Sequence, residues 1–83
     1  MTHFWISFRS LTYAQRAAGL MERRGISASI ARLPQGLSKK GCGYAVISRG
    51  PILPVKNLLE EHNIPWSQIF RRAESGEFFE VTP

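Results

Sequence analysis

Residues 3–8 alternate Phe4, Ile6 and Phe8 with His3, Trp5 and Ser7, a period of two in aromatic and β-branched side chains that predicts a first strand. The period then changes. Over 11–24 the apolar positions Tyr13, Ala17, Leu20 and Met21 follow helical spacing, with Ser10 or Thr12 available as a capping hydroxyl and Gly25 as the left-handed residue that ends a helix. Alternation returns as Ile26, Ala28 and Ile30 against Ser27, Ser29 and Ala31, a second strand running into the breaker-rich Leu33-Pro34-Gln35-Gly36-Leu37-Ser38-Lys39-Lys40-Gly41. Residues 43–48 predict a third strand, closed by Gly50-Pro51. A second helix follows over about 52–62, with Ile52, Val55, Leu58 and Leu59 as its apolar stripe. Pro54 is tolerated there because it falls in the first turn, where its missing N–H costs nothing. Residues 67–72 fit a fourth strand, and Ser75-Gly76 predicts a hairpin into a short terminal strand at Phe78-Phe79.

The predicted order is β-α-β-β-α-β plus a tail. The two helix ends repeat one another in kind, Leu20-Met21-Glu22-Arg23-Arg24-Gly25-Ile26 against Leu58-Leu59-Glu60-Glu61-His62-Asn63-Ile64, each closing on a left-handed former and then an isoleucine. Two β-α-β halves related in this way predict an α+β, ferredoxin-like sandwich: two helices on one face of an antiparallel sheet, with a short C-terminal hairpin strand. One domain over 1–83 is expected, its core spanning about 3–73, with 74–83 as terminal strand or tail.

Charge adds direction to this picture. The 83 residues carry 11 Lys+Arg against 6 Asp+Glu, net +5, and the surplus is uneven. Residues 1–58 hold nine basic side chains and only Glu22, whereas residues 59–83 hold Arg71 and Arg72 against five glutamates. A basic face of this kind suits nucleic acid, a phosphorylated compound or an acidic protein. The N-terminus lacks the pattern of a signal peptide and no run approaches a membrane span, so the cytoplasm is the expected compartment.

Most enzyme templates lack their parts. The chain has no aspartate, its two histidines stand alone in the sequence, and no glycine-rich phosphate loop follows the first strand. His3 reads as a strand-edge residue and His62 as a residue of the last turn of the second helix; no ligand spacing joins them to Cys42 as a metal site. No catalytic residues and no cofactor are expected.

Cys42 is the single cysteine, so it has no intramolecular disulfide partner and no resolving thiol. Its setting is Ser38-Lys39-Lys40-Gly41-Cys42-Gly43. Gly41 and Gly43 leave the sulfur sterically open with backbone amides near it, and Lys39 and Lys40 favour the thiolate, the nucleophilic form. The plainer reading is a small hydrophobe at the start of a strand. A thiol that no internal partner can discharge suits a carrier better than a reductase. The same stretch supports an alternative, because Lys40-Gly41-Cys42-Gly43-Tyr44-Ala45-Val46-Ile47 approximates the third-strand motif of RNA-recognition domains, with Trp5 and Tyr44 as candidate stacking residues. Cys42 and Ile47 stand where that motif has aromatics, and Phe8-Arg9 where it prefers Asn-Leu. A small regulatory or interaction domain with an incidental thiol is the third reading.

As a whole the chain resembles the selenium/sulfur carrier-like family, small bacterial proteins formerly classed as a domain of unknown function. The resemblance runs from Phe4 to about Val81. It rests on the aromatic strand ending in Phe8, the Glu22-Arg23-Arg24-Gly25-Ile26 helix end, the Leu33-Pro34 turn, Cys42-Gly43 opening the third strand, and the helix end from Leu58 to Ile64. It implies that Cys42 accepts selenium or sulfur as a persulfide or selenopersulfide and hands it on. The partners it implies are a cysteine-desulfurase-type donor and a selenophosphate-making acceptor. Two features depart from the pattern: the apolar opening Gly50-Pro51-Ile52-Leu53-Pro54 of the second helix, and the strong basic charge.

Overall fold

The computed structural model describes residues 3–34, 36–37 and 43–81. The elements follow in the order β1 (His3–Phe8), α1 (Leu11–Arg23), β2 (Ser29–Arg32), β3 (Tyr44–Arg49), α2 (Ile52–Glu61), β4 (Ile69–Arg72) and β5 (Phe78–Val81). The sheet is antiparallel in every pair and ordered β2-β3-β1-β4-β5. This is the ferredoxin-like topology, with both helices on one face and a hairpin strand added beyond β4.

Both helices end as their repeated sequences predict. In α1 the N–H of Ile26 donates to Met21 O at 2.9 Å and that of Gly25 to Glu22 O at 3.0 Å, with Gly25 at φ 75°. In α2 the N–H of Ile64 donates to Leu59 O at 2.9 Å and that of Asn63 to Glu60 O at 3.2 Å, with Asn63 at φ 55°. Each is a Schellman closure, in which the left-handed residue turns the chain and the following isoleucine folds back onto the last apolar turn. Of the two candidate caps for α1, Ser10 is the one used, its Oγ accepting from the Tyr13 N–H at 3.3 Å, and Thr12 lies inside the helix. The N-cap of α2 is Pro51, which offers no side-chain acceptor.

Strand β3 begins one residue later than expected, at Tyr44, and two strands begin two or more residues late. Ile26 is committed to the closure of α1, so β2 starts at Ser29, although Ile26 and Ala28 still pack against the core. At β4, residues Ser67 and Gln68 both bond to Ser7, in a bulge that delays the regular ladder to Ile69. Ser67 N–H donates to Ser7 O and Ser7 N–H to Gln68 O, both at 2.8 Å. The fully buried Ser7 hydroxyl accepts from the Gln68 N–H at 2.9 Å and donates to Gln68 O at 3.3 Å. The β4–β5 hairpin is closed by Ala73 N–H to Glu77 O and Gly76 N–H to Ala73 O, both 2.9 Å, with Gly76 at φ 93°.

The sheet buries both faces unequally. On the helix side Ile6, Phe8, Val46 and Ile69 meet Ala14, Ala17, Leu20, Met21, Val55, Leu58 and Leu59. On the other side Trp5, Ala45 and Phe70, joined by Leu33 and with Leu37, Ile47 and Phe78 packed against them, form a second cluster that no helix among the described residues covers. Phe78 of β5 stands edge-on to Trp5, centroids 5.1 Å apart, and edge-on to Phe70 at 6.4 Å. The terminal hairpin therefore completes the core of the open face.

Candidate functional site

Of the residues proposed for the thiol site, Cys42, Lys39, Lys40 and Gly41 lie outside the described residues; Gly43 lies within them. The Gly43 carbonyl accepts from the Leu33 N–H at 3.1 Å, which holds together the two residues that flank segment 34–42 at the β2–β3 end of the sheet. A Cβ built on Gly43 would meet nothing within 4 Å. The chain that carries Cys42 thus enters the structure at an uncrowded position.

Several residues at this end of the sheet were not singled out from the sequence. Arg32 pairs with Tyr44 across the β2–β3 ladder and holds its guanidinium 5.6 Å from the centre of the Tyr44 ring. Phe8 pairs with Tyr44 on the other side, so Arg9 follows at the same end. Arg9, Tyr13, Pro65, Trp66 and Ser67 line a depression of about 250 Å³ there. These residues come from separate segments, and the pairing of β1 with β3, of β2 with β3, and of Ser67 with Ser7 brings them to the end where Gly43 lies.

The two candidate stacking residues are not brought together. Trp5 pairs with Ile47 and Phe70, whereas Tyr44 pairs with Phe8, an odd number of residues along the same strand. Side chains alternate faces along a strand, so Trp5 belongs to the open face and Tyr44 to the helix side, where it packs against the main core. Trp5 is also only 7% exposed, sealed by Phe78 and by the Arg72 guanidinium 5.7 Å from its ring. An RNA-recognition platform needs exposed aromatic faces side by side, and this pair does not form one.

His3 and His62 are likewise separated. His3 pairs with Arg49 and Arg72 on the open face, whereas His62 caps the C-terminus of α2 in the helix layer. Among the described residues no three His, Cys, Asp or Glu side chains are grouped to hold a metal ion. No helix among them is long and apolar enough to cross a membrane.

The family model described as "Putative Se/S carrier protein-like" matches residues 4–71, from β1 through the third residue of β4 and across Cys42. The chain belongs to the Se/S carrier protein-like family. No curated protein and no solved structure matches it. The matched span takes in both helices, β2 and β3 of this family member, and all of β1 and β4 but His3 and Arg72; β5 lies beyond it. The single cysteine within the span is consistent with a carrier-type role for the family member.

Proposed function

We propose that this member of the Se/S carrier protein-like family carries one sulfur or selenium atom on Cys42. The observation that carries the reading is the family match over residues 4–71, in which Cys42 is the only thiol. The Cys42 thiolate attacks the terminal chalcogen of a donor persulfide or selenopersulfide. The bond between that chalcogen and the donor sulfur breaks, the donor leaves as a thiolate that takes up the proton Cys42 gave away, and Cys42 holds the chalcogen with no net oxidation. Attack on the outer chalcogen by an acceptor reverses the bonding and frees Cys42. With no second thiol in the chain, the loaded state has no internal route of discharge.

Lys39 and Lys40 favour the thiolate, and Gly41 and Gly43 leave room for the donor sulfur. The open space at Gly43 and the cations Arg9 and Arg32 at that end of the sheet support this assignment. They also suit an acidic face on the donor, of cysteine-desulfurase type, or on the acceptor, a selenophosphate-making enzyme. The test is intact-mass measurement after incubation with a persulfide donor. The wild-type chain should gain the mass of one sulfur or selenium atom and lose it on reduction, and Cys42→Ala should gain nothing. A wild-type chain that stays unmodified under a donor that loads other thiols would overturn the reading.

A further inference from the structure

The open face carries a second basic feature at the end of the sheet remote from Gly43. His3 is the direct cross-strand partner of Arg49 on β3 and of Arg72 on β4, which sets Arg49, His3 and Arg72 in one row on one face. Strands lie about 4.8 Å apart, so the two arginines flank His3 at about 10 Å between Cα atoms, a span their side chains bridge easily. Like charges side by side on a sheet repel. Neither arginine, nor His3, has a carboxylate within ion-pair distance among the described residues, and Glu80, the acidic residue of β5 on that face, lies beside Phe70 and accepts from Gln68 Nε2.

The row borders a depression of about 320 Å³ lined by His3, Trp5, Ser27, Ser29, Ile47, Arg49 and Arg72, with no acidic residue in the lining. Buried Trp5 and half-buried Ile47 form its floor, and the exposed serines and arginines its rim. Arg72 is held in place, its guanidinium 5.1 Å from the Phe78 ring and 5.7 Å from that of Trp5. A fixed guanidinium fork is suited to a phosphate, which it grips through paired hydrogen bonds.

We propose that this depression binds a small phosphomonoester, its dianionic phosphate between Arg49 and Arg72 and within reach of His3, its body against Ile47 and the rim of Ser27 and Ser29. The volume lies in the range of small-molecule sites and exceeds what a bare anion fills. A nucleic-acid strand is the poorer fit, because Trp5, the one Phe, Tyr or Trp side chain among the described lining residues, is sealed beneath Phe78 and Arg72 and offers no face for base stacking. The site lies at the other end of β3 from Gly43: from Tyr44 to Arg49 the strand rises about 17 Å.

The test is titration of the full chain with phenyl phosphate, inorganic phosphate and a short single-stranded RNA at fixed ionic strength, read by calorimetry and by amide chemical shifts. Phenyl phosphate should bind more tightly than inorganic phosphate and shift the amides of His3, Ser29, Arg49 and Arg72. Arg49→Gln and Arg72→Gln should each weaken it by about tenfold or more, the loss of a charge-assisted hydrogen-bonded pair. Arg49 has no ring contact among the described residues, so its variant keeps the test free of any effect on the aromatic cluster. Arg71→Gln removes the same charge from the helix-side face and should leave binding within twofold, and Cys42→Ala should leave it unchanged. The site is refuted by absence of phenyl phosphate binding at millimolar concentration, by an equal loss in Arg71→Gln, or by RNA saturating these residues where phenyl phosphate does not.

Discussion

Trp5→Ala separates a core tryptophan from a ligand-stacking one. The side chain is 7% exposed, and a buried tryptophan removes about 150–250 Å² from water. At about 25 cal/mol per Å² this is about 4–6 kcal/mol, and a compact unfolded chain trims it to about 3–5 kcal/mol. The same range is typical of truncating a buried aromatic to alanine. An 83-residue domain has about 4–12 kcal/mol to lose, so the variant should be near the edge of folding. With an unfolding entropy of about 2.1 cal/mol/K per residue, the midpoint should fall by about 17–29 °C. Thermal and urea unfolding followed by circular dichroism measure this directly. Trp5→Phe keeps the ring against Phe78 and deletes an Nε1 that is buried with no acceptor among the described residues, so it should cost less than half as much. A loss below about 1 kcal/mol for Trp5→Ala, the size of a surface change, would refute the open-face core.

Two fully buried serines should respond in opposite ways. Ser7→Ala strands the Gln68 N–H at the β1–β4 bulge and should cost about 1–3 kcal/mol, whereas the Ser48 hydroxyl has no hydrogen-bond partner among the described residues and Ser48→Ala should be neutral or stabilising in the same urea titration. At the end of α1, Gly25→Ala meets no steric obstacle, so its cost should be purely that of the left-handed backbone, about 1–2 kcal/mol, with Asn63→Gly near neutral at the matching position. Ser10→Ala removes the one side-chain cap of α1 and should lower stability by about 1 kcal/mol.

The features legible along the chain were those that local chemistry governs. A period of two marks β1, a helical period marks α1 and α2, and left-handed formers followed by isoleucine mark both Schellman closures, because each depends on residues within a few positions of one another. The late starts of β2 and β4 were not legible. One depends on the Ile26 N–H being taken by Met21, the other on Ser7 reaching across to Gln68, and neither partner is marked by spacing.

The same division runs through the sites. Cys42 stands out in sequence because glycines and lysines adjoin it, and Arg32 over Tyr44 does not, because the two meet only across a ladder. Whether Trp5 and Tyr44 share a face, and whether His3 lies between Arg49 and Arg72, rests on the register of strands far apart in the chain. A slip of one residue in the β1–β3 pairing would reverse both answers while leaving every local pattern intact. Register is set by which residues the sheet buries against α1 and α2, a property of the packed whole, and so the pairing of the basic row could be read only once the strands had been laid side by side.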